Sequence, residues 1–197
     1  QLHQPAHGIL AVTFTNKAAG EMKARLEKLV GERTAKQLMI GTFHSICARM
    51  LRSEIESYVS PDGLKWKNNF VIYDETDSMS LVKDAITKLN LDDKVYVPKE
   101  IRHRISALKN DGHTSSQFAS TAKNYFDNKL SEIFAKYQEG LARNNALDFD
   151  DLISTFSDLL EQNEEVRHRL QRRFHHVLVD EFQDTNRIQY MLLRQMV

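Results

Sequence analysis

The 197-residue chain has one cysteine, Cys47, so no disulfide can form within it and a packed core has to hold the fold. Prolines number only three and glycines seven, which leaves few enforced breaks in a chain otherwise free to form helices. No apolar run reaches membrane-spanning length and no signal peptide is recognisable, so the default expectation is a cytoplasmic setting. An excess of one charge is missing too. With 27 basic residues against 27 acidic ones, any attraction for nucleic acid must come from local patches rather than the overall field. No G-x-x-x-x-G-K-[ST] phosphate loop occurs, and Gly20, Gly31 and Gly63 lack its context. The chain starts at Gln1 rather than Met with an apolar strand close behind, so we expect a cut N-terminus and a fragment of a longer protein.

What is present is ordinary globular composition, 41% hydrophobic and 27% charged, enough for one large domain or two small ones. Ile9 to Thr15 (ILAVTFT) is a continuous apolar and β-branched run, the pattern of a strand buried on both faces of a parallel sheet. A helix capped by Thr15 or Asn16 follows, with Ala19, Met22, Leu26 and Leu29 as its inward face. Leu38 to Phe43 reads as a second strand, and about His44 to Tyr58 as a second helix. This alternation predicts a parallel α/β layer.

From Ser60 to about Asn145 only Phe70 to Tyr73 is strand-like. Helices are predicted over Thr76 to Leu89, Pro98 to Lys109, Ser115 to Ala122 and Asp127 to Asn144. The pattern is that of an inserted helical subdomain. Asp148 to Leu160 and Glu164 to Phe174 are helical again, Val177 to Val179 is a third strand, and Asn186 to Val197 begins another helix. Three strands leave poorly covered edges, so more sheet is expected beyond them. Pro98 to Lys109 is a basic amphipathic helix, with Ile101, Ile105 and Leu108 inward and Lys99, Arg102, His103, Arg104 and Lys109 around the rest. A solvated face explains such charges, and so do contacts to a phosphate backbone. Arg167, Arg169, Arg172 and Arg173 form a further cluster with no evident role.

The chemistry concentrates at His176 to Thr185, HVLVDEFQDT, where an apolar strand ends in two adjacent carboxylates. At the carboxyl edge of a parallel sheet, Asp180 is placed to hold a water of a Mg²⁺ ion and Glu181 to orient or deprotonate an attacking water. The alternative is an acidic helix start, favoured by the helix dipole. Phe14, Thr15 and Asn16 end the first strand, and Thr42, Phe43, His44 and Ser45 repeat the arrangement at the second. An aromatic face with hydroxyl, amide and imidazole groups suits single-stranded nucleic acid, although a core role for Phe14 and a capping role for His44 compete. Eight histidines occur, yet His44, His175 and His176 have no ligand framework at zinc spacing. Asp148, Asp150 and Asp151 sit at a helix start and are read mainly as fold residues.

Four segments in order, VTFTNKAAGEM (Val12 to Met22), GTFHS (Gly41 to Ser45), NALDFDDLI (Asn145 to Ile153) and LVDEFQDTNRIQ (Leu178 to Gln189), resemble the UvrD/Rep type of superfamily 1 DNA helicases over essentially the whole chain. The resemblance implies a partial RecA-like sheet, with motor subdomain 1A over 1–58 and 148–197 and a helical subdomain 1B over 59–147. It implies ATP and Mg²⁺ as cofactors, with Asp180 on the metal, Glu181 activating water and Gln183 linking nucleotide state to DNA. Phe14, Thr15, Asn16, Thr42, Phe43 and His44 would line the single-strand path. The partners implied are single-stranded and duplex DNA, with repair or replication proteins besides, and 3′ to 5′ movement. Without the phosphate loop the 197 residues are expected to be inactive in ATP hydrolysis and unwinding. Two competing readings are a binding module whose helical insertion is the working surface, and a nuclease. The latter would need Asp148 and Asp151 to meet Asp180 and Glu181 within about 4 to 6 Å around two ions.

Overall fold

The structure, a computed structural model, describes residues 5–197. Its centre is a parallel sheet of three strands, β1 (Ile9–Thr13), β2 (Met39–Thr42) and β5 (His176–Val179), in the order β2-β1-β5. Residues Leu10 and Val12 pair with Met39 and Gly41 on one side and with Val177 and Val179 on the other. The chain therefore leaves β1 to one side and returns on the other. A reversal of this kind opens a crevice at the carboxyl ends of the strands, between β1 and β5.

Helix α1 (Asn16–Val30) follows β1, and the short α2 (Glu32–Ala35) leads into β2. Helix α3 (Phe43–Glu54) follows β2. One sheet face is thoroughly covered. Leu10 and Val12 are buried with α3, α8 (Phe149–Gln162) and α10 (Arg187–Met196), through Ile46, Met50, Phe156 and Leu192 among others.

The other face departs from the expected burial. Ile9, Ala11, Ile40 and Leu178 line a cavity of about 630 Å³ beneath Met22 and Leu26 of α1. Leu178 remains 59% exposed, and Leu29, expected inward, is 78% exposed, because α1 buries none of its side chains fully. The helical period of α1 is present, but its apolar stripe lies over an open groove.

Between α3 and α8 the chain builds a second cluster of buried residues. Helices α4 (Glu75–Lys88), α5 (Pro98–Asn110), α6 (Ser115–Thr121) and α7 (Tyr125–Arg143) place Val82, Ile86, Ile105, Ile133 and Phe134 together. Its entry and exit run side by side as the short parallel pair β3 (Val71–Ile72) and β4 (Ala146–Leu147). Trp66 fastens this seam by donating its indole N–H to the carbonyl of Ala146 at 2.8 Å. Helix α9 (Glu164–Arg173) completes the set, and two of its arginines find structural partners in neighbouring segments. Arg167 donates to the carbonyl of Leu160 near the end of α8, and Arg169 meets Glu54 at 2.6 Å.

Candidate functional site

Thr13 pairs with Thr42, and Val12 pairs with Val179, so Asp180 stands level with Thr13 at the end of the next strand. The amide of Asp180 still donates to the carbonyl of Val12 at 2.9 Å, which fixes the acidic strand end against β1. Beyond that bond the chain turns sharply. Glu181 takes a left-handed backbone conformation with φ of 50°. Asn90 and Asn145 share that region at helix ends, where asparagine is common, but a glutamate there costs about 1–2 kcal/mol. Asp180, Glu181 and Gln183 are all exposed, and the Gln183 amide donates to the Glu181 carboxylate. The loop ends at Asn186, whose side chain caps α10 by accepting from the amide of Gln189 at 3.0 Å.

Across the crevice, the exposed Thr15 caps α1, its hydroxyl oxygen accepting from the amide of Ala18 at 3.1 Å, and Asn16 is exposed beside it. Phe14 is half-buried, with its ring 5.5 Å from that of Phe43. Two residues expected on the strand path turn inward instead. Phe43 is 3% exposed and belongs to the core under β1, because the helix start at the end of β2 directs its side chain under the sheet. Thr42 is 7% exposed and its hydroxyl accepts from the amide of Ser45 at 3.2 Å as the cap of α3. Both support the surface rather than form it. Gly41 leaves room for this tight start, since a Cβ there would come 2.5 Å from Ser45 Oγ and displace that hydroxyl from the Thr42 carbonyl.

His44 is half-buried and meets Phe149 edge-on at 5.7 Å. Burial lowers its pKa below the ordinary value, and the charge of Asp150 opposes that shift. The imidazole is therefore held toward its neutral form, which donates from one ring nitrogen and accepts at the other.

The aspartates of the N-A-L-D-F-D-D segment lie apart from this edge in character. Asp148 caps α8 in a capping box with Asp151, as a helix-start reading expects. Their carboxylates also receive Lys109 of α5, with Nζ at 2.6 and 2.7 Å and the lysine 3% exposed. Lys109, expected among the outward charges of a basic helix, is thus an inward residue. Its buried ammonium is compensated by two buried carboxylates. The Tyr137 hydroxyl donates to Asp148 at 2.7 Å, and the Gln138 amide donates to Asp151 at 3.1 Å. Burial, followed by the charge of Asp148, pushes the Asp151 carboxyl up to about 7 against the pull of Lys109. The Asp148 carboxyl moves the other way. Burial opposes that shift, but the charge and hydrogen bond of Lys109 prevail. With Asp148 and Asp151 consumed by Lys109, the two-ion nuclease arrangement is not formed. Among the described residues no three acidic, histidine or cysteine side chains make a group able to hold a metal.

The remaining basic face of α5 is partly engaged as well. Arg102 pairs with Glu75 at 2.8 Å, and Arg104 lies over the Phe126 ring. Sequence reasoning missed β4 and the inward Lys109. The paired Asp148 and Asp151 were the available signal for a buried cation.

The fold and its edge define a parallel α/β layer with an exposed acidic turn and a polar, aromatic strand end facing one crevice, interrupted by a mainly helical insertion. The sequence profile of the UvrD/REP helicase N-terminal domain matches residues 1–197, and the chain belongs to that family. It is 43% identical over 194 residues to the ATP-dependent DNA helicase PcrA of Bacillus subtilis (strain 168), covering 98% of this chain and 25% of that protein. The PcrA of Staphylococcus aureus (strain Mu50 / ATCC 700699) is 42% identical over 188 residues, covering 95% and 25%. The chain thus spans about a quarter of the length of the curated relatives it matches. Among the described residues, no helix is long and apolar enough to cross a membrane.

Proposed function

We infer that this chain is the first motor portion of an ATP-dependent DNA helicase that moves along single-stranded DNA, 3′ to 5′, and opens duplex in repair or replication. The observation that carries this reading is the meeting of two chemistries at one carboxyl edge. Phe14, Thr15 and Asn16 end β1 beside the turn that bears Asp180, Glu181 and Gln183 at the end of β5. An exposed carboxylate at a strand end suits Mg²⁺, which binds through one or two protein oxygens and keeps several waters. Bound with ATP, the ion would neutralise the phosphate oxygens during transfer to water.

In this reading Asp180 binds the ion through its water shell, and Glu181 orients and deprotonates the attacking water. Gln183, already bonded to Glu181, reports the state of that carboxylate to the neighbouring strand end. The exposed face of Phe14 stacks a base without regard to sequence, while Thr15, Asn16 and His44 hold the backbone. Phe43 and Thr42 keep that surface in place from beneath. The polarity rests on the family resemblance.

The 197 residues contain no phosphate-loop motif, so by themselves they would bind a single strand without turning over ATP. The test is ATPase activity of the full-length protein with and without single-stranded DNA. The reading expects DNA-stimulated turnover that Asp180→Ala abolishes. Stimulated turnover surviving that substitution would remove Asp180 from its assigned role.

A further inference from the structure

The acidic turn is tied to the helical insertion by a short chain of side-chain amides. Asn186 donates its Nδ2 to Asn110 Oδ1 at 2.8 Å. Asn110, the last residue of α5, donates its own Nδ2 to Asp150 Oδ1 at 3.0 Å and to the carbonyl of Ser106 at 2.9 Å. All three side chains are half-buried. Chemistry dictates the direction of this chain. An ionised Asp150 only accepts and the Gln189 amide only donates, so each amide group between them has one admissible orientation.

The ends of the chain are the two halves of the proposed site. Asn186 closes the loop that begins at Asp180 and carries Glu181 and Gln183. Asp150 is the charge that acts on His44, and its neighbour Phe149 touches the His44 ring. Asn110 reaches both from the insertion, one residue beyond the buried Lys109 that locks α5 to α8. These bonds join the end of α5, the start of α8 and the cap of α10.

The geometry points to Asn110 as a positioning residue that transmits DNA occupancy at His44 to the turn holding Glu181, an inference that rests on the helicase reading above. It touches neither nucleotide nor strand. Its effect is exerted through Asn186 on one side and Asp150 on the other.

The test reverses the chain. Asn186→Asp keeps a good helix cap but removes the donor to Asn110. Asn110 must then turn its amide toward the new carboxylate and surrender both Asp150 and the Ser106 carbonyl. Adding Asp150→Asn restores a donor at the far end, so the bonds to residues 186 and 150 can form in reverse while the one to the Ser106 carbonyl stays lost. In the full-length protein, Asn186→Asp should lower the ratio of DNA-stimulated to basal ATPase by about threefold to thirtyfold, basal turnover falling less than stimulated turnover. The double variant should recover part of that ratio. Urea midpoints of the same variants report the hydrogen-bond chain independently of ATPase.

A midpoint that falls in Asn186→Asp and recovers in the double variant, with the ATPase ratio unmoved throughout, makes the chain a fold device only and overturns the proposal. Equal loss of basal and stimulated turnover overturns it as well. Full-length protein without any DNA-stimulated ATPase overturns the helicase reading itself, and the proposal with it, whatever the midpoints show.

Discussion

Replacing Lys109 by methionine keeps an unbranched apolar stem in the same space and removes only the ammonium. Lys109 is 3% exposed and lies 2.6 and 2.7 Å from Asp148 and Asp151, which are themselves buried. The substitution leaves two carboxylates facing each other with no cation. Deleting one partner of a buried ion pair typically costs about 3–5 kcal/mol, because it leaves an uncompensated buried charge. The protein has one escape, which is to protonate Asp151. That carboxyl is already held up to about 7 against the pull of Lys109, so without the ammonium it rises further and keeps its proton into the alkaline range, where the unsubstituted protein gives that proton up. Asp148 alone can remain ionised, since the Tyr137 hydroxyl still donates to it. The expected loss is therefore about 3–5 kcal/mol near pH 8, and at least about 1 kcal/mol less near pH 5. Urea titration followed by the fluorescence of Trp66, the single tryptophan and a buried one, measures both. A loss below about 1 kcal/mol at pH 8, or an equal loss at the two pH values, would refute the reasoning.

Asp151→Asn separates the proton from the ion pair. In the folded chain this carboxyl keeps a proton that the unfolded chain releases above about 4, so its contribution is complete below that value and is lost as pH rises toward 7. The asparagine cannot titrate, and the stability of the variant relative to the unsubstituted protein should improve steadily across that window. A pH-independent difference would count against the assigned shift. The two phenylalanines at the sheet edge should divide binding from folding. Phe14→Ala is expected to weaken single-strand affinity by about 1–3 kcal/mol whatever the sequence, read by fluorescence anisotropy at fixed salt. Phe43→Ala should instead lower folding stability by about 3–5 kcal/mol, as loss of a buried ring does. Unchanged DNA affinity in Phe14→Ala would remove that ring from the strand path.

The elements that carry strong periodicity were legible in the sequence. The run ILAVT announced β1, and its helix start appears at Asn16 with Thr15 as the cap. The acidic turn was placed at a strand end because an apolar run stops there without any helix-period continuation. Burial was harder to read. Leu29 has the spacing of a core residue and is exposed, since spacing says which residues share a face but not what covers that face. Lys109 shows the converse. A lysine on a helix rich in basic residues looks solvated, and only the arrival of Asp148 and Asp151 from residues far along the chain makes its burial tolerable. Strand β4 was invisible because two residues cannot display an alternation. Asn110 and Asn186 carry no local signal at all, being 76 residues apart and joined by a single hydrogen bond.

The central claim is that the turn after β5 is the hydrolytic end of a DNA-driven motor, with Glu181 as the base that activates water. Glu181→Gln keeps the shape of the side chain while removing its basicity. Measured on the full-length protein, DNA-stimulated ATPase turnover should fall by about 10²- to 10⁴-fold, the usual contribution of a positioned general base, with single-strand affinity unchanged. Turnover close to that of the unsubstituted protein would contradict the account.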